Sequence, residues 1–180
     1  TAGVRPGQSL TVFGLGGVGL AAVLTAVAAG AFPVIAVDPM PAKRELALRL
    51  GATQAMSPEE CTAGMSEFAI EAVGSARALQ AAYAAVERGG VAVAVGLPHP
   101  DEQLTIPALS LAGEGKSLKG SYLGDSAPHR DIPRLISLWR GGRLPVEQLA
   151  SQTIGLDRIN EAFDDLAAAA TVRTLIDPHH

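Results

Sequence analysis

One stretch, residues 11–38, constrains the fold of this chain more than any other. An apolar run over 10–13 leads into the pattern Gly14-x-Gly16-x-x-Gly19, and a segment rich in Ala, Leu and Val follows. A second apolar run over 33–37 then ends on an acid, Asp38. A strand, a glycine turn, a helix and a second strand in this order predict one βαβ unit.

Each glycine of the pattern has a separate physical reason to lack a side chain. Gly14 permits a tight turn from strand to helix, Gly16 lets the main chain approach a pyrophosphate, and Gly19 lets helix and strand pack closely. Gly17 removes another side chain from the same surface. The amides of Gly17 and Val18 then face the phosphates at the positive end of the helix dipole. The stretch therefore predicts a dinucleotide site, although packing alone can also select a glycine turn.

Asp38 follows the glycines by about 20 residues, where a carboxylate can accept the hydroxyls of an adenosine ribose. The same charge repels a 2′-phosphate, so the predicted ligand is NAD rather than NADP. An alternative is that Asp38 caps the helix predicted to begin near Pro41. Lys43 is close enough in sequence to reach the ribose, or it is a solvated helix lysine.

Composition limits the other classes of function. With 48% hydrophobic residues among 180, the chain can bury a core. A net charge of −4 without a basic run argues against nucleic acid and anionic membrane surfaces as partners. The apolar helix predicted over 20–29 is too short to span a bilayer. Residues 1–6 lack the features of a signal peptide. The single cysteine, Cys61, excludes internal disulfides and a cysteine zinc cage, and we expect a cytoplasmic protein.

The rest of the sequence alternates between strand and helix patterns. We predict helices over 41–50, 57–64, 76–88, 128–140 and 157–170, and strands over 52–56, 68–73, 91–96, 104–107, 117–123, 148–156 and 172–176. This alternation predicts an α/β fold, a Rossmann-type doubly wound parallel sheet with helices on both faces. The helix over 128–140 is amphipathic, and we expect Ile132, Leu135, Ile136 and Trp139 to point inward. Asp157 is the predicted cap of the last helix.

His99 stands between two prolines without another metal-ligating residue nearby, so we interpret it as a surface loop residue. No residue of this chain is predicted to be catalytic or to bind a metal.

Eight segments of the chain carry a resemblance to a known family, and they are GLGGVGLAAV (14–23), VIAVD (34–38), LGAT (50–53), EAVG (71–74), AVGLP (94–98), LKGSYLG (118–124), INEAFDDL (159–166) and VRTLI (172–176). In this order and spacing they resemble the cofactor-binding half of the zinc-dependent, medium-chain alcohol dehydrogenases. The class III type, which acts on glutathione adducts of formaldehyde, and its bacterial relatives look closest. The resemblance implies a dinucleotide-binding domain over 1–122 and a segment over 123–180 that returns to a catalytic domain.

The resemblance also implies a role for individual residues. In this family the pyrophosphate, adenosine ribose, adenine and nicotinamide each have their own group of contacts. The implied contacts are Gly17 and Val18 for the pyrophosphate, Asp38 and Lys43 for the ribose, Val73 and Gly74 on the adenine side, and Val95, Leu97, Ser121 and Leu123 around the nicotinamide. Arg173 would also reach the pyrophosphate, or it is a surface arginine on a terminal strand.

The same family holds its catalytic zinc with two cysteines and a histidine from an N-terminal domain, and Cys61 does not match a ligand position. We therefore expect this chain to be a fragment or isolated domain that binds NAD(H) but no zinc. The parent would transfer hydride between a small alcohol or aldehyde and NAD, and the fragment would be inactive by itself.

The resemblance further implies that the strands over 148–156 and 172–176 lose their partners here. That tail would be either mobile or paired with another molecule. We also expect a homodimer joined through the strand 117–123.

Two other functions stay open at this stage. One is a non-catalytic module that binds or senses NAD(H). The other is an NADPH-linked quinone reductase of the same superfamily, which Asp38 opposes because that branch lacks the acid.

Overall fold

A computed structural model describes residues 1–168 and 170–179 of the chain. These residues form two compact units, Thr1–Leu144 and Pro145–His180. The helix over 128–140 is thus part of the first unit. The predicted boundary at 122/123 marks instead where the chain is expected to turn toward a catalytic domain, and it stays a prediction.

The first unit contains one six-stranded parallel sheet in the order β3-β2-β1-β4-β5-β6. Because the order reverses between β1 and β4, a crevice opens at the carboxyl ends of these two strands. The predicted doubly wound α/β fold is confirmed. The strands are β1 (Leu10–Phe13), β2 (Val34–Val37), β3 (Gln54–Met56), β4 (Ser66–Glu71), β5 (Val86–Ala94) and β6 (Ser117–Gly120).

Helices cover both faces of this sheet. On one face α1 packs close to Val12, and on the other Phe13 lies in an apolar cluster with Tyr83 of α3. Every residue of β1 and β2 is buried, as expected for parallel strands covered on both sides. The helices of this unit are α1 (Gly17–Ala28), α2 (Pro41–Arg49), α3 (Ala76–Ala85), α4 (Ala108–Gly113) and α5 (Pro128–Arg140).

The predicted end of the third helix is wrong. We expected helix to Arg88, but α3 ends at Ala85 and β5 begins at Val86. Val86 is fully buried and pairs with Ser66, and the register then shifts before the next pair, Phe68 with Val91. A buried β-branched residue favours a strand, which the helical spacing of the preceding alanines does not reveal.

Several other predicted bounds in the first unit were also wrong. The third strand begins at residue 54 rather than 52, the fourth covers 66–71 rather than 68–73, and the sixth ends at Gly120 rather than Leu123. Residues 104–107 form no strand. The helix predicted over 57–64 is a single 3-10 turn, Pro58–Glu60, closed by a capping box between Ser57 and Glu60.

Helix α5 has the predicted bounds, but the predicted inward direction of its apolar face is wrong. Ile132, Leu135, Ile136 and Trp139 are 53%, 42%, 40% and 47% exposed, and no residue of α5 is buried. An amphipathic pattern shows which face of a helix is apolar, but it does not show that the same chain covers that face.

The second unit is a small α/β arrangement. Strands β7 (Gln152–Ile154) and β8 (Thr174–Ile176) pair in parallel, so within this chain they are partners of each other. Both are shorter than predicted, because 146–149 form a 3-10 turn and 172–173 precede the paired residues. Whether this tail is mobile or bound to another molecule stays a prediction.

The helix of this unit, α6 (Ile159–Ala167), begins later than predicted. Asp157 is not its cap, because it lies inside a 3-10 turn, Leu156–Arg158, and Arg158 occupies the N-cap position. Residue 169 of the predicted helix lies outside the described residues. Among the helices that the structure describes, none combines the length and apolar character needed to cross a bilayer.

The packing of α1 on the sheet leads to a prediction about stability. Leu20 of α1 is fully buried, whereas Leu48 of α2 is 46% exposed. We expect Leu20→Ala to lower the free energy of unfolding by about 2–5 kcal/mol, because it removes buried methyl groups and leaves a cavity. Leu48→Ala serves as the control and should change it by less than about 1 kcal/mol. Urea denaturation followed by circular dichroism measures both, and equal losses would contradict the proposed packing.

Candidate functional site

The glycine turn after β1 has the geometry that its sequence predicts. Gly14 has a φ of +86°, and a Cβ there would lie 2.6 Å from Val73 Cγ2. A Cβ on Gly19 would overlap the carbonyl oxygen of Gly14. Neither position can therefore carry a side chain without moving the backbone of the turn.

Gly16 differs from these two glycines. Its φ is −78°, and a Cβ built on it would meet no protein atom within 4 Å. The fold itself does not require glycine here, and the missing side chain leaves an open surface at the start of α1.

The amino end of α1 is a favourable place for an anion. Gly16 is its N-cap, without a side-chain cap, and the first turn holds no acidic residue. The hydrogen bond from Leu20 N to Gly16 O (2.9 Å) is the first of the helix, so the amides of Gly17 and Val18 have no acceptor within it. Unsatisfied amides and the positive end of the dipole together favour a phosphate group.

Asp38, directly after β2, is buried and accepts two backbone hydrogen bonds. Its Oδ2 accepts from Leu15 N (2.8 Å) in the glycine turn, and its Oδ1 accepts from Met40 N (2.9 Å). The alternative that Asp38 is the N-cap of α2 is wrong, since Met40 holds that position. A carboxylate has about four acceptor positions, so this one retains capacity for ribose hydroxyls. The bond to Leu15 was not foreseen from the sequence.

Arg44 is a second group that the sequence analysis missed. Its Nη1 donates to the carbonyl oxygens of Asp38 (2.8 Å) and Pro39 (2.9 Å), and so it orders the turn between β2 and α2. Lys43, the neighbouring residue that we predicted to reach the ribose, is half-buried on α2. The sequence signal for such a contact was a basic residue in the first turn of α2. Lys43 and Arg44 fit this signal equally well, so it did not identify Arg44.

A cavity of 270 Å³ opens beside Asp38, between the carboxyl ends of β1 and β2 and the start of α3. Its walls are mainly apolar, with polar side chains from Glu59, Ser75 and Arg77. Val73 also lines it, and the predicted role of Val73 on the adenine side stays a prediction. The cavity is lined by Phe13, Gly14, Val37, Pro39, Pro58, Glu59, Val73, Ser75, Arg77, Ala78 and Ala81. Flat apolar walls with a few polar groups are suited to a heteroaromatic base.

The residues predicted to surround the nicotinamide follow the carboxyl ends of β5 and β6. Val95 comes directly after β5, and Leu97 follows it in the same turn. Just beyond β6, Ser121 N donates to Ala94 O (2.9 Å). Leu123 is 87% exposed and has a φ of +58°. These residues therefore lie at the carboxyl end of the parallel sheet, as Gly14 and Asp38 do.

Gly74 and Arg173 were also predicted to contact the cofactor, and the structure places them as follows. Gly74 lies in the turn after β4, where its amide donates to the Glu71 carboxylate (2.6 Å). Arg173 lies in the second unit, where its carbonyl accepts from Ser151 N (2.7 Å) and its side chain is exposed. Its predicted role toward the pyrophosphate stays a prediction.

Cys61 is half-buried beside the 3-10 turn. Burial raises the pKa of its thiol, and the nearby carboxylates of Glu60 and Glu59 raise that pKa further. The thiolate that binds metals is therefore disfavoured. Within 1–168 and 170–179, no three or more His, Cys, Asp and Glu side chains are grouped as metal ligands.

Comparison with known proteins gives this geometry a family. The sequence model of the zinc-binding dehydrogenases matches residues 17–140, which is more than half of the chain. This chain belongs to the zinc-binding dehydrogenase family. The matched region includes α1, Asp38 and the turns after β4 and β5, whereas β1, Gly14 and Gly16 precede it.

Individual relatives agree with this assignment. The geraniol dehydrogenase of Castellaniella defragrans is 37% identical over 171 residues, which cover 89% of this chain and 46% of that protein. A zinc-binding-domain alcohol dehydrogenase structure from Burkholderia ambifaria superposes with a TM-score of 0.92 at 34% identity, covering 97% of this chain and 50% of that one. A zinc-binding dehydrogenase from Sinorhizobium meliloti, solved with NADP, has a TM-score of 0.87 at 27% identity, over 98% of this chain and 54% of that one.

The chain spans about half the length of the relatives that it matches. That half is the Rossmann-type, nucleotide-binding half of the family fold, as the sequence motifs predicted.

The contrast between Gly16 and Gly19 can be tested. We expect Gly16→Ala to lower NADH affinity tenfold or more while changing the free energy of unfolding by no more than about 1 kcal/mol. Gly19→Ala should destabilise the protein by about 1–3 kcal/mol or more, because its Cβ overlaps the Gly14 carbonyl. NADH fluorescence titration and urea denaturation distinguish the two effects. If Gly16→Ala bound NADH normally, the open surface would not be a phosphate site.

Proposed function

We propose that this chain is the NAD-binding half of an oxidoreductase that acts on an alcohol or aldehyde. The observation that carries the proposal is the open surface at Gly16. A Cβ on Gly16 would meet no protein atom within 4 Å, so packing within the protein does not explain why this residue is a glycine. It lies at an uncapped helix N-terminus, in a turn that Asp38 holds through Leu15. A pyrophosphate is the group that such a surface accommodates best.

The proposed ligand is NAD(H) rather than NADP(H). The relative solved with NADP indicates that this fold also accepts the phosphorylated cofactor, so the discrimination must come from local charge. Here that charge is the Asp38 carboxylate, which two amides hold rigidly at the carboxyl end of β2. We propose that it accepts the ribose hydroxyls, with Lys43 as an additional donor, and that it repels a 2′-phosphate. The same argument disfavours the NADPH-linked quinone reductase.

Bound NAD would supply the nicotinamide ring that accepts hydride from the substrate. The role of this chain is to orient that ring, with Val95, Leu97, Ser121 and Leu123 following the ends of β5 and β6. Zinc and the substrate pocket would come from the other half of the parent enzyme. We therefore propose that the isolated chain binds cofactor but does not catalyse the reaction.

We further propose a homodimer joined through residues 117–123. The support is that β6 is an edge strand of the sheet, and that Tyr122 and Leu123 beyond it are 75% and 87% exposed. Unpaired strand edges readily pair with a second copy. A cytoplasmic location is also proposed, because a single half-buried thiol is typical of a reducing compartment.

Isothermal titration with NADH and NADPH tests the cofactor assignment. We expect NADH to bind at least tenfold more tightly than NADPH, and Asp38→Ser to reduce this ratio, because the repulsive charge and the ribose acceptors are both removed. Glu45→Ser, which removes an exposed carboxylate from α2, is the matched control and should leave the ratio unchanged.

The result can also go against the proposal. Equal affinities for NADH and NADPH in the unaltered protein would reject the role given to Asp38. No binding of either dinucleotide would reject the proposed function as a whole.

Sedimentation velocity over a range of protein concentrations tests the oligomer. We expect a dimer that dissociates on dilution, and a dimer weakened when Tyr122 and Leu123 are both changed to Ser. A monomer at every concentration would contradict the proposed interface.

A further inference from the structure

A buried carboxylate that the cofactor assignment does not use lies at the carboxyl end of the sheet, where the crevice opens. Glu71 is the last residue of β4 and is only 1% exposed. It pairs in register with Phe13 on one side and Ala94 on the other, so it lies where the strand order reverses. Burying an ionised carboxylate is costly unless hydrogen bonds compensate it, and its partners therefore indicate its role.

Those partners belong to two turns that border the crevice. Glu71 Oε1 accepts from Val73 N (2.7 Å) and Gly74 N (2.6 Å). The backbone oxygen of Glu71 accepts from Val95 N (2.9 Å) and Gly96 N (3.0 Å). One residue thus receives four amide hydrogens, two from residues 73–74 and two from the segment 95–97. We call these two segments the paired turns.

The paired turns also touch each other through their backbones. Gly74 has a φ of +84°, and a Cβ there would lie 2.8 Å from the Leu97 carbonyl oxygen. A Cβ on Gly96 would overlap the backbone of Gly74 and lie 3.0 Å from Glu71 Oε2. No side chain separates the two turns, and the Glu71 carboxylate lies directly against both.

The compensation for this buried charge comes from amides. None of the ion pairs that the structure describes includes Glu71. Hydrogen bonds from backbone N–H groups to a carboxylate are stronger than hydrogen bonds between neutral groups. Here they hold the short turn at residues 73–74. The length of the side chain, which places Oε1 within reach of both amides, is therefore the important property.

We propose that Glu71 is a positioning residue for the cofactor site. It holds the paired turns in register, so that Val73 on the adenine side and Val95 and Leu97 on the nicotinamide side keep their separation. The proposal rests on the proposed function, because it assumes that these turns line a dinucleotide site. A change at Glu71 would then alter both ends of the site together.

The experiment compares substitutions that separate reach from charge. Glu71→Gln keeps the length and one acceptor oxygen, whereas Glu71→Asp keeps the charge but is one methylene too short to reach both amides. Glu67→Asp is the matched control. Glu67 lies near the other end of β4, and its carboxylate accepts three hydrogen bonds, from Gln8 Nε2, Ser9 N and Ser9 Oγ.

Two measurements are made on each variant. The first is the rate of amide hydrogen exchange at Val73 and Gly74 in the ligand-free protein, which NMR detects. The second is NADH affinity, measured by fluorescence titration. We expect Glu71→Asp to accelerate exchange and weaken NADH binding by at least tenfold. Glu71→Gln should remain within about fivefold of the unaltered protein in both, and Glu67→Asp within twofold for NADH.

Three outcomes would overturn the proposal. These are normal NADH binding by Glu71→Asp, an equal loss in Glu67→Asp, or a larger loss in Glu71→Gln than in Glu71→Asp, which would assign the effect to charge. If Glu71→Asp fails to fold, Gly96→Ala separates the paired turns with Glu71 intact, and it should also lose at least tenfold. Normal NADH binding by Gly96→Ala would reject the proposal.

The proposed function and the positioning role of Glu71 fail in different ways. If the unaltered protein binds no NADH, the proposed function is rejected. Slow amide exchange at Val73 and Gly74 that becomes fast in Glu71→Asp would still support the positioning of the turn by Glu71. Unchanged exchange in that variant would reject it.

Discussion

The close contact between the first turn of α1 and the end of β1 is the constraint on which the rest of the site depends. Gly19 lies against the Gly14 carbonyl, and Gly14 lies against Val73 in the turn after β4. Because these two glycines have no Cβ, the amino end of α1 can lie directly against the backbone at the end of β1. We propose that this nearness directs the amides of Gly17 and Val18 toward the crevice, at the point where the strand order reverses.

Two carboxylates accept hydrogen bonds from the turns that border the crevice. Asp38 after β2 holds the glycine turn through Leu15 N, and Glu71 at the end of β4 holds Val73 and Gly74. The site is therefore built largely from backbone groups that buried acids keep in place. Recognition by backbone suits polar groups such as phosphates and a carboxamide, whereas the ribose hydroxyls are proposed to bind the Asp38 side chain. It also explains why few side chains in the sequence suggest chemistry of their own.

The site was predictable where one residue acts through its local backbone. Gly14, Gly16 and Gly19 follow from spacing alone, and so does the acid at the end of β2. The bond from Leu15 N to Asp38 was not predictable, because Leu15 lies 23 residues away in the glycine turn. The role of Glu71 was not predictable either, because the segment 95–97 that meets the turn after β4 belongs to another strand connection. Helix α5 shows the same limit for the fold, since its bounds followed from its pattern but the exposure of Trp139 did not. Periodicity reports the apolar face of an element and not the surface that covers it.

The sequence by itself determined the parallel α/β architecture, the glycine turn with its following acid, and the family whose motifs run through the chain. These properties follow from local periodicity and from positions at which only glycine is tolerated. The tertiary structure alone decided that Val86 begins a strand, that Arg44 orders the turn after β2, and that the two segments beside Glu71 touch without side chains between them. The pairing of Val86 and the contact beside Glu71 join segments far apart in the chain, and they form only once the sheet has assembled. The bonds of Arg44 span only five and six residues, but they depend on the direction of its side chain, which the sequence pattern does not give.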